Sequence, residues 1–171
     1  MPKPTNKQIT SVQYYDCGYC VNHLSLVYRR HKPEKRIFPS GVFLIKHPCE
    51  GYVLFDTGYS RGIYKTGFKG WLYRTFNPTH VKRQDEIIVQ LRDDGINPED
   101  IRYVVLSHLH PDHIGGVRFF PRSTIIVTEG SYQNYKNPGW RDLLFLQLLP
   151  AWFEKNLKVL RYEDRRHIDN E

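Results

Sequence analysis

The sequence predicts an α/β fold in one domain, on three observations. Apolar runs rich in β-forming residues recur at 9–15, 41–47, 52–55, 101–106, 124–128 and 157–160. After residue 84 these runs alternate with helix-patterned segments, the pattern of layered α/β structure. The length, 171 residues, suits one domain with its own hydrophobic core.

Taken in order, residues 9–15 read as a first strand, and residues 16–40 are mixed and basic. Residues 41–47 and 52–55 form the arms of a hairpin closed by Pro48-Cys-Glu-Gly51, where Pro and Gly supply the turn. Residues 59–80 read as a long loop carrying six aromatics, Tyr59, Tyr64, Phe68, Trp71, Tyr73 and Phe76. Residues 84–94 predict a helix with Ile87, Ile88 and Leu91 on one face and Gly95 closing its end. Residues 97–100 read as a turn, 101–106 as a strand, 124–128 as another, and 129–136 as a helix. A second helix is predicted over 140–155, bent at Pro150, then a short strand at 157–160 and a charged tail.

Composition narrows the function classes. A hydrophobic fraction of 40% with 14% aromatics excludes a disordered chain. No apolar run reaches the roughly 20 residues that span a bilayer. The first seven residues lack the apolar segment of a secretory signal, and three cysteines make a poor disulfide framework. These features predict a cytoplasmic protein. The net charge of +7 is uneven: residues 1–84 carry +10 and residues 85–171 carry −3. A basic half suits an anionic partner, yet without a nucleic-acid-binding motif it reads as a solvated surface, which argues against nucleic acid.

Three of the eight histidines fall within six residues, His108, His110 and His113, with Asp112 beside the last. The cluster begins where a buried strand ends, the edge at which α/β proteins place ligands. His108 and His110, at i and i+2 of extended chain, point to one side and can grip one ion. Pro111 turns the chain, so Asp112 and His113 arrive from another direction and can reach a second ion or complete the first. Gly115 and Gly116 let the backbone pass close by. Imidazoles plus a carboxylate suit Zn²⁺, with Fe, Mn or Co as alternatives.

Ser107-His-Leu-His-Pro-Asp-His-Ile-Gly-Gly116 resembles the metal-binding signature of the metallo-β-lactamase superfamily. Phe55-Asp-Thr-Gly58 resembles that family's earlier motif, and residues 95–106 are similar to the stretch that leads into the signature. The resemblance implies an α+β fold, an αββα sandwich of two mixed sheets with helices outside. It implies that His108 and His110 bind one Zn²⁺, that Asp112 and His113 bind a second, and that Asp56 stands beside them orienting a ligand. It also implies a metal-held hydroxide attacking an ester, lactone, thioester, amide or phosphoester, with Asp112 serving the water's proton. Within the superfamily, the segment from Tyr14 to Cys20, the aromatic stretch after Gly58 and the strand ahead of Glu129 look like the N-acyl-homoserine lactonases. That implies a small-molecule lactone or ester substrate whose acyl tail meets the aromatics.

The family's third histidine, bridging aspartate and last histidine have no counterpart here. His167, in Arg165-Arg-His-Ile-Asp169, reads as a tail residue. The expectation is one incomplete domain over 1–171, the N-terminal half to two-thirds of a longer hydrolase. A half-domain completed by a second copy, a homodimer, is the other arrangement. Two alternatives stand beside the lactonase: a nucleic-acid phosphodiesterase of the same superfamily, and a non-catalytic protein that keeps the fold. Cys17-Gly-Tyr-Cys20 has the spacing of a thiol redox motif, which requires it to open a helix over 22–30.

Overall fold

The computed structural model describes residues 8–28, 30, 32–139, 142–161 and 163; His167 lies outside them. The strands among these residues form one mixed sheet. β1 (Ser11–His23), β2 (Lys35–His47) and β3 (Gly51–Phe55) make an antiparallel meander, and β4 (Thr79–His80) pairs with the far end of β1. β5 (Ile101–Val105), β6 (Thr124–Thr128) and β7 (Leu157–Leu160) continue the sheet in parallel, giving the order β4-β1-β2-β3-β5-β6-β7.

Five α-helical segments connect them: α1 (Leu24–Val27), α2 (Gly67–Phe76), α3 (Ile87–Asp93), α4 (Pro111–Ile114) and α5 (Glu129–Lys136). α3 buries Ile87, Ile88 and Leu91, the face predicted from their spacing. It ends at Gly95, whose φ of +74° lets the Ile96 amide donate back to the Leu91 carbonyl. α5 occupies the predicted residues, capped by the Thr128 hydroxyl accepting from the Ser131 amide.

Alternation along the strands separates two faces. Val42, Leu44, Leu54, Val104 and Ile125 are buried on the face that carries the helices. Fully burying a Val, Leu or Ile side chain contributes roughly 1.5–3 kcal/mol, so this row is the centre of the core. The opposite face is also apolar. Tyr14, Phe43 and Phe55 lie side by side on adjacent strands and are exposed, with the Tyr14 and Phe43 rings 5.4 Å apart edge to face. A sheet apolar on both sides is the inner layer of a sandwich.

Several expectations change: β1 runs on to His23 and β2 begins at Lys35, both inside the stretch read as mixed. Residues 59–80 are not a loop: they hold a 3₁₀ turn (Arg61–Lys65), α2 and β4. α2 buries Gly70 and Tyr73 and leaves Phe68, Trp71, Leu72 and Phe76 exposed, so its aromatic stripe faces away from the core. Residues 142–155 contain no α-helix. Lys69 donates to the carbonyls of Asp142 and Leu144, and Arg118 to those of Gln147 and Leu148, so tertiary cations take the acceptors a helix would use. Two 3₁₀ turns, Leu146–Leu148 and Glu154–Asn156, remain. Cys17 and Cys20 sit within β1, not ahead of a helix; the helix that follows is only Leu24–Val27.

Candidate metal centre

The site forms where β3 and β5 end side by side. Asp56 follows β3 with a φ of +63°, unusual for a residue with a side chain, and its amide donates to the Val105 carbonyl. That turn buries the carboxylate and aims it across at the residues after β5. Oδ1 accepts from the Ser107 amide at 2.8 Å, both oxygens accept from the Ser107 hydroxyl, and Oδ2 lies 2.8 Å from Nδ1 of His113. Burying a carboxylate is costly unless it is matched, and here every contact is a donor.

Pro111 fits the first position of α4, which needs no amide donor, and the turn returns Asp112 and His113 toward His108. Donor atoms of His108, Asp112 and His113 lie within 4.8 Å of one another. The His108 ring centroid is 3.9 Å from that of His113 and 4.4 Å from that of His110. Nε2 of His113 stands 3.2 Å from Oδ2 of Asp112. The structure thus brings together all five residues singled out in the sequence. The tightest group takes one member from the expected His108–His110 pair and both from the Asp112–His113 pair, with His110 alongside.

Electrostatics follow from this crowding. Burial lowers the pKa of His108, and the His113 and His110 imidazoles lower it further. Burial also lowers His110, against the pull of Asp112. For His113, burial would lower the pKa, but hydrogen bonds to Asp112 and Asp56 outweigh it and hold the imidazole at about 9. Burial would raise Asp112, yet its contacts with His113 keep it below the usual carboxylate range. Two imidazoles whose charged forms burial disfavours, a third whose Nδ1 faces a carboxylate and whose Nε2 would yield its proton to a bound cation, and a carboxylate kept ionised are a ligand set that fits a borderline divalent cation.

Residues the sequence did not single out complete the setting. Ser107 touches Asp56, His108 and His113. Thr57 donates through its amide and its hydroxyl to the His113 carbonyl and accepts from the Gly116 amide. Ser107 and Thr57 stand within the two motifs and could have been found from that position; Ser40, whose hydroxyl donates to the Asp112 carbonyl, carried no sequence signal. The glycines are required by space. A Cβ on Gly115 would come 2.6 Å from the Gly58 carbonyl oxygen, and one on Gly116 2.6 Å from that of Thr57.

Beside His108 and His110 is a small cleft of about 60 Å³, also lined by Ser131, Asn134, Asp142 and Leu144. Leu143 and Phe145 of the same segment line a larger apolar groove of about 320 Å³ with Leu72, Tyr73 and Phe76 of α2. No helix among the described residues is long and apolar enough to cross a membrane.

AttM of Azorhizobium caulinodans, an N-acyl homoserine lactonase, is 37% identical over 105 residues, which are 60% of this chain and 39% of that protein. The N-acyl homoserine lactonase AiiA of Bacillus thuringiensis subsp. kurstaki is 28% identical over 128 residues, 73% of this chain and 51% of AiiA. In three dimensions the chain is similar to an N-acyl homoserine lactone hydrolase solved with N-hexanoyl-L-homoserine at its catalytic metal centre. That TM-score is 0.74 at 24% identity, covering 92% of this chain and 61% of the hydrolase. AidC, a dizinc quorum-quenching lactonase, superposes with a TM-score of 0.62 at 17% identity, covering 97% of this chain and 65% of AidC. The chain spans 39% of the length of the AttM relative and 61% of that hydrolase structure. The model of the metallo-beta-lactamase superfamily matches residues 36–169, most of the sheet and both motifs, so this chain belongs to that superfamily.

Proposed function

We propose that the protein is a metal-dependent hydrolase that opens lactones, with N-acyl homoserine lactones as the substrate class. The observation that carries this is the convergence of His108, Asp112 and His113, with Asp56 fixing the His113 ring from behind. The named activity of the AttM and AiiA relatives supports the substrate class.

In this reading, His108, Asp112 and His113 hold one divalent cation, and His110 belongs to the same centre or to a second one. Zn²⁺ is the cation the donor set favours, with Fe, Mn and Co as alternatives. When bound, such a cation supplies Lewis acidity, polarising the lactone carbonyl and acidifying water. The protein's own residues do the rest. Asp56 keeps the His113 proton on Nδ1, so that Nε2 is the donor nitrogen facing the site. Asp112, whose side chain is about a third exposed, can take a proton from the attacking water and return it to the leaving alkoxide. The alkoxide remains tethered in the opened ring, so one proton removed and one delivered balance the reaction. The apolar groove between α2 and residues 143–145 suits the acyl tail, which leaves the polar ring at the His108–His110 cleft.

The test is turnover of N-hexanoyl-homoserine lactone by zinc-loaded protein, followed as acid release. Ring opening by wild type, lost in Asp112→Asn, is the expected outcome. Equal turnover by both would remove Asp112 from the mechanism, and a zinc-loaded wild type that hydrolyses a simple ester or thioester but not this lactone would remove the substrate class.

A further inference from the structure

α4 is a single turn. In a longer helix the Asp112 carbonyl would accept from the amide of Gly116 and the His113 carbonyl from that of Val117. α4 stops at Ile114, and the Gly116 amide turns to the Thr57 hydroxyl at 3.1 Å. Both carbonyls are taken from outside instead. Thr57 reaches that of His113 through its amide at 2.8 Å and its hydroxyl at 2.6 Å. Ser40 reaches that of Asp112 with its hydroxyl, also at 2.6 Å, from 72 residues away in the chain.

Ser40 is placed for this by β2. It continues the inward row of Leu44 and Val42, one step nearer the site, and is 4% exposed. The pairing with β1 skips from Asp16↔Gly41 to Tyr19↔Pro39, leaving Ser40 opposite the irregular stretch at Cys17 and Gly18. Next to the apolar Val42 and Leu44 of that row, the Ser40 hydroxyl sits where the one-turn helix presents an acceptor.

We propose that Ser40 is a positioning residue of the cation centre: its hydroxyl closes the Asp112 carbonyl and so holds the Asp112 carboxylate against the His108 and His113 imidazoles. This rests on reading His108, Asp112 and His113 as the cation site. Without the hydroxyl, a part-buried carbonyl loses its donor, and the single turn shifts to recover one. The Asp112 carboxylate, 3.2 Å from Nε2 of His113, shifts with it.

The experiment is Zn²⁺ affinity by chelator competition for wild type, Ser40→Ala, Ser40→Thr and His108→Ala, with thermal unfolding of each metal-free chain. Ser40→Ala should bind Zn²⁺ about 10-fold more weakly, the lower end of what loss of an outer partner costs. Ser40→Thr, which keeps the hydroxyl, should recover most of that loss. A Ser40→Ala chain that unfolds cooperatively yet binds Zn²⁺ as wild type does would overturn the role of Ser40 and leave the cation site standing. Wild type binding no better than His108→Ala would overturn the cation site itself. If Ser40→Ala does not fold, Ser40→Cys replaces it: the weaker thiol donor should give intermediate affinity, and undiminished affinity would overturn the proposal.

Discussion

Nδ1 of His113 lies 2.8 Å from Oδ2 of Asp56, and this contact decides which nitrogen of the ring faces the cluster. Asp56 is held in turn by the Ser107 amide and hydroxyl and by a left-handed backbone turn. The order of assembly runs from sheet to turn to carboxylate to imidazole. Asp56→Asn keeps the shape and tolerates the positive φ, but it removes the charge that holds the Nδ1 proton. We expect Zn²⁺ affinity to fall about 10- to 100-fold with the fold retained. Isothermal titration with circular dichroism checks both halves.

The four cluster residues should not be equivalent. His108, Asp112 and His113 converge within 4.8 Å, whereas His110 stands to one side. His108→Ala and His113→Ala should each abolish tight binding of the first cation on this chain, while His110→Ala weakens it less. Cobalt substitution, read from the visible spectrum, separates the two groups; an equal loss for all three histidines would contradict the ranking.

The close approach of α4 to the loop after β3 should tolerate no added methyl. Gly116→Ala would press on the Thr57 carbonyl and on Ile87 of α3, and Gly115→Ala on the backbone of residues 58–60. Overpacking of this kind costs about 1–3 kcal/mol, and more where the neighbour is backbone. Denaturant unfolding of Gly116→Ala should show at least that loss, against little change for Gly130→Ala, whose Cβ meets nothing within 4 Å.

Cys17 and Cys20 should behave as inert thiols. Burial raises the pKa of both, with the charge of Asp16 adding to the rise at Cys17. A raised thiol pKa leaves less thiolate at any pH below it, so alkylation should be slow at pH 7–8 and gain only as pH climbs further. Exposed Cys49 should react first. Mass mapping after timed alkylation checks the order; rapid modification of Cys17 would revive a redox reading.

Much of this was legible in the chain. The run from Ser107 to Gly116 and the triplet from Asp56 to Gly58 carry their chemistry in local order, and the strand before each supplies the geometry. The β2–β3 hairpin announces itself by its turn residues. α2 did not, because it buries Gly70 and Tyr73 and exposes its aromatics, so hydrophobic spacing points the wrong way. Residues 142–149 read as helix because their apolar spacing allows it; Lys69 and Arg118, distant in sequence, decide otherwise. β1 runs past its predicted end because the irregularity after Asp16 breaks the alternation that marks a strand. Ser40 was invisible for the same reason: its role exists only where β2 meets α4.

Metal content of the chain, purified without chelator and examined by native mass spectrometry with elemental analysis, tests the central claim most directly. One or two zinc ions per wild-type chain, lost in His113→Ala, is the predicted result. A metal-free wild type that stays so after zinc is supplied, or zinc retained equally by His113→Ala, would contradict the account.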